Sequence, residues 1–128
     1  MFKKSIIGLT FLIASMFLFS CARVVSVHNL HDQSVPPHLT RHQVGVAIMA
    51  ATNERRYWHA VKVKPGLIRA TAFVRNHRAD VKIPYSSSNY SIIYEGSHNL
   101  RAGNGLIHRN FNKWVILLNR DIQYHLHH

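Results

Sequence analysis

The sequence predicts an α+β domain, a four-stranded antiparallel meander covered by an N-terminal and a C-terminal helix. Between Leu67 and Tyr94 an apolar residue recurs at every second position. Ile68, Ala70, Ala72 and Val74 form the first run, Ala79, Val81, Ile83 and Tyr85 the second, and Tyr90, Ile92 and Tyr94 the third. Successive side chains of a strand point to opposite faces, so this period builds a sheet with one apolar side. On either side of the block the period becomes helical. Val44, Ala47, Ile48 and Ala51 share one stripe, and Ile107, Phe111, Trp114, Val115, Leu118 and Ile122 share another. Lys64-Pro65-Gly66, Arg75-Asn76-His77 and Ser86–Asn89 supply connections of hairpin length. A sheet with one apolar face needs a cover, and the two helices provide it.

The chain opens on a segment with the parts of a bacterial export signal. Lys3 and Lys4 form a basic start, and Ile6 to Phe19 form an apolar run too short for a membrane span of about 20 residues. It ends at Leu18-Phe19-Ser20-Cys21, a tetrapeptide that resembles a lipoprotein signal, and Cys21 is the only cysteine. Residues 1–20 are therefore expected to be a signal peptide, with Cys21 lipidated and no other cofactor. Ala22 after the cysteine, by analogy with enteric lipoprotein sorting, places the expected destination at the periplasmic side of the outer membrane. Residues 21–39 read as a flexible tether, because Pro36-Pro37 breaks regular structure. Residues 40–128 read as one domain.

Thr40 followed by Gln43 is a capping box, which opens the first helix. Gly45 weakens that helix by about 1 kcal/mol relative to Ala. The helix is expected to end near Asn53 or Glu54, with Trp58 plugging the edge of the core. Four strands follow, at Trp58–Val63, Leu67–Val74, Ala79–Tyr85 and Tyr90–Glu95. Residues 96–105 form a polar loop, and the second helix is expected to open near Leu106.

The composition is basic, with 16 Lys+Arg against 5 Asp+Glu and 11 His. Removing the signal lysines Lys3 and Lys4 from the 16 leaves 14 against 5, still a large excess. Such a charge favours an anionic neighbour: lipid headgroups, lipopolysaccharide or an acidic envelope protein. An exported lipoprotein rarely meets nucleic acid, so none is expected as a partner. With a lipid on Cys21 no disulfide can form.

Chemistry-bearing motifs are missing. The sequence holds no nucleophile elbow, no Gly-rich phosphate loop and no HExxH helix. Asp32, Glu54, Asp80, Glu95 and Asp121 are scattered over separate segments, whereas paired acid–base work needs two carboxyls converging. No catalytic residue and no metal site are assigned, and a non-catalytic protein is expected. The alternative is a periplasmic metal-handling or hydrolytic protein using His98 and His108. Arg69, Arg75, Arg78 and Lys82 fall off the apolar register or in the hairpin joining it, with Asp80 as the only acid expected among them. They form the candidate face for an anionic partner.

The run from Arg75 to Tyr85, with Tyr90–Tyr94, Ser97–Leu100 and Ile107–Val115, resembles a family of small proteobacterial lipoproteins. The resemblance covers most of the chain after Thr40 and implies an envelope location; it brings no catalytic residues. Ser97, Asn99, His108 and Asn112 are the polar positions within the matching runs. They form a second candidate group, expected to cap the loop and the start of the second helix.

Overall fold

The computed structural model describes residues 23–128; the signal segment and Cys21 lie outside them. The class is α+β, as the periodicity predicts. In chain order the elements are β1 (Val24–Ser26), β2 (Leu30–Ser34), α1 (Arg41–Glu54), β3 (Trp58–Lys64), β4 (Leu67–Val74), β5 (His77–Pro84), β6 (Asn89–His98), β7 (Leu106–His108) and α2 (Arg109–His127).

The central sheet has five strands in the order β2-β6-β5-β4-β3, all antiparallel, which corrects the expected four-stranded meander. The fifth strand comes from the segment expected to be a tether. Leu30 pairs with Ile92 and Gln33 with Tyr90, across a bulge in which Asp32 takes a left-handed φ of 50°. Just upstream, β1 pairs with β7 to make a second, two-stranded sheet. Residues 24–34 are thus integral to the fold.

Each predicted helix forms, for the expected reason at one end. Thr40 Oγ1 accepts from the Gln43 amide at 3.1 Å, and Gln43 Oε1 accepts from the Thr40 amide at 2.9 Å, which completes the capping box. The second helix starts three residues later than expected. Leu106–His108 is strand, and His108 caps α2 by accepting from the Asn110 amide at 3.2 Å through Nδ1.

Both helices lie on the apolar face of the sheet and against each other. Val44, Ile48 and Ala51 from α1 and Phe111, Val115, Leu118 and Ile122 from α2 are buried with Ile68, Ala70, Ala72, Ala79, Val81 and Ile83. Trp58 fills the corner between α1 and the sheet and is buried. Phe111 meets Tyr94 edge to face, at 5.3 Å between ring centres. An Arg55–Asp121 ion pair and a hydrogen bond between His125 Nε2 and Glu54 join the end of α1 to α2. The opposite face of the sheet is uncovered.

Candidate functional site

The uncovered face holds three of the four expected cations. In the β4–β5 register Arg69 stands opposite Lys82 and Phe73 opposite Arg78. Phe73 is exposed and meets His59 edge to face at 5.9 Å. The face is less cationic than the alternation suggests. A bulge between Asp80 and Val81 puts Glu95 on this side, where it pairs with Arg69 at 3.3 Å. Asp80 pairs with Arg78 at 3.4 Å and accepts from the Thr71 hydroxyl at 2.9 Å. Two acids therefore sit among these cations, Glu95 as well as the expected Asp80. Among the described residues, only Lys82 of the three has no carboxylate within ion-pair distance.

Arg75 is elsewhere. It occupies the two-residue turn between β4 and β5, with φ 58°, and its side chain borders a cleft beside the start of α2.

The second group is not one cluster either. The Ser97 hydroxyl bonds the Tyr94 hydroxyl at 2.8 Å. The Asn99 carbonyl accepts from His77 Nδ1 at 2.7 Å. Asn112 fastens the N-terminal strand to α2: its amide donates to the Ser26 carbonyl at 2.9 Å, and its Oδ1 accepts from the His28 amide at 3.0 Å. Each of these contacts ties neighbouring segments of the fold together, and His108 caps α2 through Nδ1. His98 stands opposite Arg78 on the uncovered face, whereas His108 is on the β7–α2 junction. Among the described residues no three His, Cys, Asp or Glu side chains gather as a metal-binding group.

What alternation could not reveal is a basic pole at the N-terminal end of α2. His108 is held below its ordinary pKa of 6.5, first by burial and then by the positive charge of Arg101, Arg109, His77 and Arg23. No acid contributes. The chain enters the domain at this same end, where the Arg109 amide donates to the Arg23 carbonyl at 3.0 Å. Lys113 follows one turn along α2, and Arg75 and His77 reach in from the β4–β5 hairpin. Among the described residues, Arg23, Arg75, Arg101, Arg109 and Lys113 make no ion pair. The carboxylates lie elsewhere: Asp80 and Glu95 on the open sheet face, Glu54 and Asp121 against the far end of α2, and Asp32 on β2. The sequence signal was present in the closeness of Arg101 and Arg109 to a loop end, but only the β1–β7 pairing brings Arg23 to them. No helix among the described residues is long and apolar enough to cross a membrane. No protein-family model matches the chain, and no curated protein matches it.

Proposed function

We propose that the protein is a lipid-anchored, non-catalytic binding module of the bacterial cell envelope, which holds an anionic envelope component against its basic pole. The observation that supports this reading most is the collection of unpaired cations around His108, at the end of the domain where Arg23 follows Cys21 by two residues. A lipid on Cys21 would hold that end next to a bilayer, so the charge meets the headgroups first. A diacylated cysteine anchors the chain by itself, because two acyl chains hold a membrane stably, so the cations serve to select an anionic neighbour rather than to complete the anchor. The expected seat is the periplasmic side of the outer membrane, on the strength of Ala22.

Two measurements test it. Cys21→Ser should leave the precursor uncleaved or mislocalised; processing and sorting like the parent would defeat the lipoprotein assignment. The unlipidated chain without its signal segment, residues 22–128, should co-sediment with anionic vesicles better than with neutral ones. Binding should fade as salt shortens the screening length from about 10 Å at 0.1 M to about 3 Å at 1 M. Arg101→Glu with Arg109→Glu should weaken it much more than Arg69→Glu with Lys82→Glu. Equal effects of the two pairs would remove the pole from the reading.

A further inference from the structure

The cleft between the β4–β5 hairpin and the first turns of α2 has a volume of about 420 Å³, within the range of about 300–1,000 Å³ usual for small-molecule sites. Arg75, His77 and Lys113 contribute cations or a potential cation from three elements (a turn, a strand and a helix), and Asn110 adds an amide. Tyr57 and Trp114 form its aromatic wall, and no acid lines it.

Two details point to a ligand. The Asn99 carbonyl can only accept, so the 2.7 Å contact fixes the proton of His77 on Nδ1 and leaves Nε2 as the free atom. Arg75 takes φ 58° at the first position of a two-residue hairpin loop, where glycine is the residue without steric cost. A bulky residue in that region is uncommon and carries a steric cost. An arginine there places a guanidinium beside the cleft, which a glycine could not.

We propose that this cleft binds a phosphate ester of a small polyol or sugar. A phosphomonoester carries a charge of about −1.5 to −2 near neutral pH, which matches an arginine and a lysine together, whereas a carboxylate needs only one of them. Arg75 supplies the planar fork that grips two phosphate oxygens, and Lys113 supplies a point charge. His77 Nε2 and the Asn110 amide reach the ester or hydroxyl oxygens, and Tyr57 and Trp114 cover the carbon body. The site deepens the envelope-binding reading by naming the group held, and rests on that reading only for the lipid as a source of the ester.

The test is titration calorimetry on the full chain in a non-ionic detergent, with glycerol 3-phosphate, inorganic phosphate and glycerol as probes. Glycerol 3-phosphate should bind, inorganic phosphate more weakly, and glycerol not measurably. Lys113→Gln should weaken the first by about tenfold or more, as expected for loss of a charged hydrogen bond. Arg75→Gly should do the same while leaving the melting temperature equal or higher, because it relieves the left-handed backbone. Competition by glycerol 3-phosphate against phosphatidic acid vesicles, whose headgroup is the same phosphomonoester, would identify a lipid headgroup as the source; binding without competition would identify a free ester. Absence of glycerol 3-phosphate binding overturns the proposal, and so does binding unchanged in both variants. Tighter binding of inorganic phosphate would remove the polyol. Loss of vesicle binding with an intact cleft would defeat the envelope reading alone.

Discussion

The side-chain amide of Gln123 donates to the Tyr90 hydroxyl at 2.8 Å, and that hydroxyl donates in turn to Asn119. The same two α2 residues reach the edge strand. Asn119 donates to Gln33 at 3.3 Å, and Gln123 to the Ser34 carbonyl at 3.0 Å. One polar seam thus ties α2, β6 and β2 together, and Tyr90 is its centre.

Tyr90→Phe should cost about 1–3 kcal/mol, because it leaves the half-buried Asn119 oxygen without its donor. Urea unfolding checks the size. Burial, against the opposing effect of the Gln123 bond, pushes the Tyr90 pKa from 10.0 to about 12. The folded value exceeds the unfolded one, so this stabilisation is complete below pH 10 and is lost as pH rises toward about 12. In an ultraviolet titration one phenol should ionise late, and Tyr90→Phe should remove it. If the late phenol survives, the seam is not as described.

Gly45 is the next relationship that can be tested. A Cβ there would stand 2.6 Å from the Tyr85 hydroxyl oxygen and 2.8 Å from the ring carbon that bears it. Tyr85 is buried, so its ring has little freedom to retreat. Gly45→Ala gains about 1 kcal/mol of helix propensity and should nevertheless destabilise the protein. In a Tyr85→Leu background the same change should become stabilising. A double-mutant cycle by denaturant unfolding reads this reversal; one sign in both backgrounds would mean that Tyr85 does not dictate the glycine.

Trp114 anchors the other side of the core. It is 9% exposed and stands between Phe111 and Leu118, which are fully buried, on the stripe that the sequence predicts. Truncating a large buried aromatic costs about 3–5 kcal/mol, against about 5–15 kcal/mol for a whole domain. Trp114→Ala should therefore lower the thermal midpoint steeply, as scanning calorimetry would show. An unchanged melt would place the stripe in solvent.

These residues also show what the sequence made legible. Where burial follows a period, as in β4, β5 and α2, the pattern was readable, and so was α1 through its capping box. The edge strand β2 was not, because Leu30-His31-Asp32-Gln33-Ser34 has one apolar residue and no alternation. Backbone pairing to β6 and bonds from Asn119 and Gln123 hold it instead. The start of α2 was misplaced because its cap is a histidine, outside the Ser, Thr, Asp and Asn that signal a helix start. Arg69, Arg78 and Lys82 share one face through the alternation of β4 and β5, but the bulge that brings Glu95 to Arg69 leaves no trace in a period of two. Arg75 was grouped with them because a turn residue's direction is fixed by its backbone angles, which the residue type does not reveal.

The pole's own reporter is His108. Its Nδ1 must keep a lone pair to accept from the Asn110 amide, and four basic neighbours oppose its protonation: Arg23 ahead of β1, His77 on β5, Arg101 in the loop and Arg109 on α2. Burial is the larger cause, and both lower the folded pKa below the ordinary 6.5. In the window beneath 6.5 the unfolded chain binds more protons than the folded one. This stability is therefore present above the unfolded value and is lost as pH falls through the folded one. His108→Asn keeps a cap that does not titrate, so its urea midpoint should fall less between pH 7.5 and pH 5 than the parent's. An anion held at the pole offsets the repulsion, so saturating glycerol 3-phosphate should raise the His108 pKa in an NMR titration. Parallel midpoints in parent and variant would show that the cap is indifferent to charge; a His108 titration unmoved by the ester would separate this histidine from whatever the cleft binds.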